Sequence, residues 1–123
     1  MAWNFSSDRP IYRQIVEQLE RMILAGKYSS GTQFPTVREL AAEASVNPNT
    51  MQKALQELER TGLIVTNRTS GRVVTEDNGL IENMRLTLAK NHLAEFEKQM
   101  SELGFSKKDL ATFFQTENND TVC

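Results

Sequence analysis

Hydrophobic residues fall every three or four positions near the start of the chain, a spacing typical of a helix with one buried face. The pattern runs from Pro10 to Ala25 and comprises Ile11, Tyr12, Ile15, Val16, Leu19, Met22 and Ile23. Pro10 suits a first helical turn, and Gly26 suits a C-terminal stop. We therefore expect a first helix over residues 10–25, with Trp3 and Phe5 folded back onto the same domain.

Two shorter helical patterns follow, separated by a tight turn. Thr36 to Glu39 matches a capping box, with Thr36 as the N-cap and Glu39 reaching back to it. Asn47 and Pro48 open the next helix in the same way, the asparagine as cap and the proline at the first helical position. The inward positions are Val37, Leu40, Ala41 and Ala44 in the first pattern, and Met51, Ala54, Leu55 and Leu58 in the second.

A pair of β-prone runs comes next. Gly62 ends the preceding helix, and residues 63–66 and 72–75 flank a polar tip at residues 67–71. The order helix, turn, helix and hairpin is that of a winged helix-turn-helix, which places one helix in a DNA groove. We predict a mostly α fold with a small β-hairpin, in which a winged helix-turn-helix over residues 1–76 precedes a short helical segment.

The rest of the chain predicts that helical segment. A polar boundary at residues 76–79 precedes one long amphipathic helix that ends near Gly104, and a shorter helix opens at Ser106. An isolated helix pair cannot bury its apolar face, so it packs either on the winged domain or on a second copy. We favour the copy, because the winged domain has its own core and a palindromic operator requires a two-fold dimer. We predict that residues 77–116 form a dimerisation segment and that residues 117–123 form a frayed tail. The predicted dimer contacts are Ile81, Met84, Leu88, Phe96, Met100, Leu103, Phe113 and Phe114.

Composition and charge add constraints on partners and location. The formal net charge is −2, but residues 1–75 carry nine basic and seven acidic side chains, so the excess acid lies beyond the proposed DNA-binding region. Nucleic acid is bound by a local basic face and not by the average charge. The one cysteine, Cys123, can build neither a disulfide framework nor a thiolate metal site, which favours a cytoplasmic setting. We expect no secretory signal and no membrane span, because no long apolar run is present.

The exposed face of the third predicted helix carries the candidate base-reading residues. Helix-turn-helix proteins insert mainly the N-terminal part of this helix, which favours Asn47, Asn49, Thr50, Gln52 and Lys53. Asn and Gln can bond adenine N6 and N7 together, Lys reaches guanine or a phosphate, and Thr suits either. Because any exposed helix face is polar, the residue types alone are equally consistent with an ordinary solvated surface. The position between a capped turn and a hairpin favours DNA contact.

Two residues at the start of the preceding helix are further candidates for DNA contact. Thr36 caps that helix, and Arg38 lies in its first turn. A long cation there can meet a backbone phosphate or swing into the groove. The alternative for Arg38 is a surface ion pair with Glu39 or Glu43.

The hairpin supplies the last group of candidate DNA contacts. Arg68 and Arg72 flank its tip, where arginines can touch phosphate or a narrow minor groove. The alternative is that both are ordinary charged hairpin ends. Ser70 and Gly71 could donate hydroxyl or backbone hydrogen bonds at close range.

The sequence predicts no catalysis, no metal and no cofactor. His92 is the only histidine, and on a helix beside Lys90 and Glu95 it is far more typical of a surface or interface residue than of a lone ligand. No set of Cys, His and carboxylate residues has metal-site spacing. No nucleophile and base, and no phosphate-cradling glycine loop, can be recognised. We expect a non-enzymatic protein.

Several motifs occur together between residues 10 and 75. They are Pro10-Ile11-Tyr12 with Gln14-Ile15, then Pro35-Thr36-Val37-Arg38-Glu39-Leu40-Ala41, then Leu58-Glu59-Arg60-Thr61-Gly62-Leu63-Ile64. In combination they resemble the GntR family of bacterial transcription regulators. The run Asn47-Pro48-Asn49-Thr50, with only a short remainder after the hairpin, is similar to the YtrA-type branch. Members of that branch carry a short helical dimerisation segment in place of a large effector-binding domain.

The resemblance implies a set of DNA contacts and also shows two departures. By resemblance, the contacts are Arg38, Asn49, Thr50, Lys53 and the wing around Gly71. Many GntR proteins have arginine where this chain has Pro48. The wing tip usually carries Gly-x-Gly, and here Thr69 replaces the first glycine.

The leading hypothesis is a dimeric, sequence-specific transcription regulator, most simply a repressor that binds a palindromic DNA operator. One alternative is a winged-helix protein-interaction module, which the acidic net charge would suit, although a docking surface would carry apolar anchors. Another is a one-component sensor with a small-molecule effector. The C-terminal segment is too short for a separate ligand-binding fold, so such an effector would bind at an interface.

Overall fold

The computed structural model describes the backbone of residues 3–121 and the side chains of residues 3–115. Over that range the chain forms five α-helices and one antiparallel β-hairpin, which confirms the predicted fold class. The chain divides into two compact units, with the boundary between Met84 and Arg85. In the described range, no helix is both long enough and apolar enough to span a bilayer.

The elements follow one another in the predicted order. They are α1 (Ile11–Leu24), α2 (Val37–Ala44), α3 (Pro48–Thr61), β1 (Ile64–Asn67), β2 (Gly71–Val74), α4 (Asn78–Glu102) and α5 (Lys107–Thr121). α5 runs into the segment predicted to fray, whose end, including Cys123, lies outside the described residues. The assignment of residues 1–76 to DNA binding and 77–116 to dimerisation stays a prediction.

The core of the first unit forms where α3 packs against α1, α2 and β1. Ile15 and Leu19 of α1, Leu40 of α2, and Met51 and Leu55 of α3 are 0% exposed. Burying an aliphatic side chain of this size contributes roughly 1.5–3 kcal/mol relative to leaving it in water. Three elements therefore hold α3 on its inner face and leave its outer face to solvent.

A buried glutamine attaches the N-terminal segment to α1. The Gln14 side chain accepts a hydrogen bond from the Ser6 N–H at 2.8 Å and donates to the carbonyls of Ser6 and Arg9 at 2.8 and 2.9 Å. Trp3 and Phe5 are half-buried, with ring centroids 6.1 Å apart. This arrangement agrees with the expectation that the segment folds back. It also shows why a polar residue is buried on the inner face of α1.

The turn between α2 and α3 uses a left-handed residue that is not glycine. Ser45 has φ 57° and ψ 47°. The N–H groups of Ser45 and Val46 donate to the carbonyls of Ala42 and Ala41 at 3.3 and 3.0 Å. These two bonds satisfy carbonyls that the helix end would otherwise leave open. The sequence shows no glycine at this point, so the turn's conformation was not evident from it.

The hairpin is held at one edge by residues 32–34, which precede α2. β1 and β2 pair from Ile64 opposite Val74 to Asn67 opposite Gly71. On the other edge of β2, Gln33 forms a bridge with Val73. The Phe34 N–H donates to the Arg72 carbonyl at 2.8 Å. Backbone hydrogen bonds from residues 32–34 thus hold the hairpin against the helical core.

The apolar residues of α4 do not form the single stripe that the sequence predicted. α4 has no buried residue, and Leu86 and Leu93 are 48% and 51% exposed. Because each residue of a helix advances by about 100°, these two leucines lie on one side and Leu88 on another. The prediction of one amphipathic face was therefore wrong: it grouped positions that drift around the helix, and it omitted Leu86 and Leu93.

Aromatic contacts join α4 and α5 within the second unit. The Phe96 and Phe114 rings lie 6.1 Å apart, and the Phe105 and Phe113 rings lie 5.1 Å apart in an edge-to-face arrangement. Leu110 is only 7% exposed. Part of the apolar surface of Phe96, Phe113 and Phe114 is therefore buried within this helix pair. Of the other predicted interface residues, Ile81, Met84, Leu88 and Met100 are half-buried, and Leu103 is 71% exposed just beyond the end of α4.

Candidate nucleic-acid interface

The start of α2 forms as the capping pattern predicted, with one change in the bonding. The Glu39 N–H donates to Thr36 Oγ1 at 3.1 Å. The Glu39 carboxylate accepts from the same hydroxyl at 3.1 Å, where a capping box would have it accept from the Thr36 backbone N–H. The Thr36 hydroxyl thus donates one hydrogen bond and accepts another within this cap. Arg38 follows in the first turn with an exposed side chain.

The start of α3 is capped by Asn47, as predicted. Asn47 Oδ1 accepts a hydrogen bond from the Asn49 N–H at 2.7 Å, and Pro48 occupies the first helical position. The Asn47 amide NH₂ remains available to donate, whereas its oxygen is used. The cap leaves the Asn49 side chain exposed at the N-terminal end of α3.

The outer face of α3 carries the rest of the predicted base-reading residues. Met51 is buried, so the side chains on the opposite face project into solvent. Lys53 is exposed, and Thr50 and Gln52 are half-exposed on the two flanks of the helix. Farther along, Arg60 pairs with Glu57 at 2.9 Å on the surface. The polar groups at the N-terminal end of α3 are therefore the ones presented for contact.

One flank of α3 is tied to α1 through Lys53. The Lys53 Nζ lies 3.9 Å from the centroid of the Tyr12 ring, a distance typical of a cation–π contact. The Arg13 guanidinium carbon lies 5.6 Å from the same centroid. Sequence reasoning placed Tyr12 on the apolar stripe of α1 and missed this contact. No local pattern could have found it, because the two residues belong to different helices.

The other flank of α3 is tied to the hairpin through Glu59. The Arg72 Nε donates to Glu59 Oε1 at 2.5 Å, and the Thr66 hydroxyl donates to the same oxygen at 2.9 Å. The Arg72 and Glu59 side chains are only 21% and 29% exposed. Thr66 and Arg72 are also directly opposite each other in the hairpin register. A single carboxylate thus fixes both strands to α3.

The hairpin tip is a turn organised by Asn67. Its Oδ1 accepts hydrogen bonds from the N–H groups of Thr69 and Ser70 at 2.9 and 3.3 Å, and from the Thr69 hydroxyl at 2.9 Å. Gly71 has φ 74°, which favours glycine. The Thr69 side chain takes part in the turn through its hydroxyl. Arg68 and Gly71 are exposed at the tip, and Ser70 is half-exposed.

The structure therefore leaves the predicted contact residues of the first unit exposed or half-exposed, and it gives the two wing arginines different surroundings. Arg68 is exposed at the tip, and Arg72 is held in an ion pair. Helix, turn, helix and hairpin, with a polar α3 face between two fixed flanks, define the class of DNA-binding transcription regulators of the winged helix-turn-helix type.

Comparison with known proteins identifies the family. The sequence profile of bacterial regulatory proteins of the gntR family matches residues 11–74. The chain belongs to the GntR family. It is 35% identical over 112 residues to YhcF, an HTH-type transcriptional regulator of Bacillus subtilis, covering 91% of this chain and 93% of that protein. It is 38% identical over 97 residues to the transcriptional repressor YtrA of the same organism, covering 79% and 70%.

Solved structures agree with this assignment. A GntR family transcriptional regulator from Listeria monocytogenes superposes with a TM-score of 0.83 at 38% identity, covering 91% of this chain and 98% of that one. The DNA-binding domain of AraR, solved in complex with its operator ORE1, has a TM-score of 0.52 at 27% identity, covering 61% and 94%. These relatives are transcription regulators, which is a class of DNA-binding protein and not of enzyme.

Proposed function

We propose that this chain is a cytoplasmic homodimeric repressor that binds a palindromic operator through the N-terminal half of α3 and the hairpin tip. The observation that carries the proposal is the exposed polar end of α3, whose two flanks are held by Lys53 on Tyr12 and by Glu59 on Arg72. A helix fixed on both flanks presents its base-reading atoms with little freedom to lose on binding. The likeness to the AraR domain, which is solved with its operator, supports DNA binding by this surface.

The contact residues divide by role. Asn49 is placed to read a base edge, because its amide is exposed at the capped end of α3. Thr50, Gln52 and the Asn47 amide flank it and supply further contacts in the groove. Lys53 contributes a cation on the α1 side.

The DNA backbone is contacted from both sides of α3. Arg38 and the Thr36 segment lie at the start of α2, where the first helix of the motif crosses the backbone. Arg68 supplies the cation of the wing, and Ser70 and Gly71 offer donors beside it. Arg72 holds the wing in place through Glu59 and is assigned a structural role.

The second unit supplies the dimer contact in this proposal, and the occupant of its exposed face is a second copy of the chain. Leu86 and Leu93 are seven residues apart, the heptad repeat of a helical seam, and both are about half-exposed. Leu103 adds a third exposed leucine beyond the helix end. Pairing with a copy of itself removes this surface from water and doubles the number of reading helices. YtrA, a repressor, supports the assignment of repression over activation.

Sedimentation of the full chain tests the dimer, with and without a selected duplex. We expect a dimer that binds one duplex, and we expect the double variant Leu86→Glu, Leu93→Glu to sediment as a monomer with much weaker operator affinity. Asn91→Glu is the matched control, because it adds a charge at an exposed polar position of the same helix. A monomeric wild-type chain that still binds its operator tightly would contradict the dimeric proposal.

A further inference from the structure

We infer that Tyr12 is a positioning residue that directs Lys53 to the DNA backbone and not to a base edge. The inference rests on the proposed function, in which α3 enters the groove. The Lys53 Nζ lies 3.9 Å from the Tyr12 ring centroid, which couples the two side chains.

The contact fixes the direction of the Lys53 side chain. Lysine ordinarily samples many rotamers, and its ammonium is a mobile point charge. Here the ammonium lies over a ring of α1, on the side of α3 away from the Glu59 and Arg72 pair. The Tyr12 ring is itself held, because α1 packs on α3 through Ile15 and Leu19.

The direction of the Lys53 side chain favours contact with a DNA phosphate over contact with a base. In helix-turn-helix complexes the N-terminal residues of the recognition helix meet bases inside the groove, while the first helix of the motif, here α2, crosses the sugar-phosphate backbone. An ammonium drawn off the outer face of α3 toward α1 points away from the bases and toward the edge of the groove, where a strand of phosphates runs. The Tyr12 ring covers one side of the Lys53 ammonium. The N–H groups of the ammonium that point away from the ring can still donate to phosphate oxygens. Arg13, whose guanidinium carbon is 5.6 Å from the same ring, adds a second positive charge on this flank.

A phosphate role has a signature that does not require the operator sequence. Binding of the full chain to a mixed-sequence DNA duplex is measured by anisotropy as a function of salt. The affinity falls as salt rises, and Lys53→Ala should make this fall less steep. The negative slope of log K against log salt should shrink in magnitude by about 0.9, the value for one phosphate contact. Tyr12→Phe keeps the ring face and should leave affinity unchanged. Tyr12→Leu should weaken binding by about two- to five-fold, the range of an exposed cation–π contact.

A double-mutant cycle of Tyr12 and Lys53 distinguishes a positioning effect of Tyr12 on Lys53 from a general loss of stability. In a Lys53→Ala background, Tyr12→Leu should cause no further loss, because no cation remains to be positioned. Tyr28→Leu is the matched control: it removes a tyrosine ring from the same unit, and that ring packs on Phe34 with centroids 4.8 Å apart. It should affect both Lys53 backgrounds equally. The ring-current shift of the Lys53 ε-protons should persist in Tyr12→Phe and vanish in Tyr12→Leu.

Three results would overturn the inference. One is an equal loss from Tyr12→Leu with and without Lys53. Another is a Lys53→Ala effect confined to one operator base pair with an unchanged salt slope, which would make Lys53 a base reader. The third is a wild-type chain that binds no duplex at all, and only this result would also remove the proposed function.

Discussion

The Arg72 guanidinium and the Glu59 carboxylate join the hairpin to α3 through a hydrogen bond of 2.5 Å between Nε and Oε1. The Thr66 hydroxyl donates to the same carboxylate oxygen. Wing and reading helix are thus connected by a half-buried ion pair as well as by the hydrophobic core. The position of Arg68 at the tip follows from this connection, because the strands on both sides of the tip are fixed.

Glu59→Ala should destabilise the folded chain by about 1–2 kcal/mol, since it leaves a half-buried guanidinium and a hydroxyl without their acceptor. Glu57→Ala is the control on the same helix, because its ion pair with Arg60 lies at the surface with side chains 37% and 78% exposed. We expect that control to cost no more than about 0.5 kcal/mol. Urea unfolding measures both values. Equal costs would show that the Glu59 pair has no special structural role.

The two wing arginines should respond differently to substitution. Arg68→Ala should leave the unfolding midpoint nearly unchanged and weaken binding to operator and to mixed-sequence duplex together, with a salt slope lower by about 0.9. Arg72→Ala should lower the unfolding midpoint, because it leaves the Glu59 carboxylate half-buried without its cation. A reversed pattern, in which Arg72→Ala changes only the salt slope, would place Arg72 at the DNA.

Two glutamates on α1 should shift stability with pH in opposite directions. The Arg9 hydrogen bond holds the pKa of Glu17 below its usual value, so this pair stabilises the fold above the ordinary pKa and the benefit is lost as pH falls through the lowered one. Partial burial, with the nearby Glu17 charge, raises the pKa of Glu20. The folded chain therefore holds a proton on Glu20 more tightly than the unfolded chain, and ionising it at neutral pH costs stability.

Glu20→Gln should consequently raise the unfolding midpoint at neutral pH. The gain should shrink as pH falls through the raised pKa of Glu20 and disappear below its ordinary value, where the carboxyl is protonated in both states. Glu43→Gln, at an exposed position of α2, serves as the control. Thermal unfolding across the acid range measures the difference. A gain that persists unchanged at low pH would mean that charge on Glu20 is not its cause.

Features encoded locally were predictable from the sequence. The caps at Thr36 and Asn47 and the stop at Gly62 depend on residues within a few positions of one another, and all three formed. The pairs that fix the reading surface join different elements: Lys53 with Tyr12, and Glu59 with Arg72. Hydrophobic periodicity contains no information about such pairs, because it reports only which face of an element is buried.

The second unit shows a different limit. Leu86 and Leu93 have the heptad spacing of a helical seam, and this signal was present in the sequence. It was missed because Met84 and Met100 were counted in one stripe although they lie roughly 160° apart around the helix. Following the rotation residue by residue would have found the two leucines. The contact between Phe96 and Phe114, by contrast, depends on how α5 packs back on α4.

A selection of random duplexes by the full chain, performed in parallel with wild type and Asn49→Ala, tests whether a dimer reads DNA through the start of α3. We expect wild type to enrich an inverted repeat whose half-sites are roughly 34–36 Å or a multiple apart. Asn49→Ala should lose preference at the same base position in both half-sites, with a cost of about 1–3 kcal/mol per contact. Its unfolding midpoint should not change, because Asn47 caps the Asn49 backbone N–H and not its side chain. An enriched sequence without symmetry, or one that is identical for both proteins, would contradict the claim that a dimer reads DNA through the start of α3.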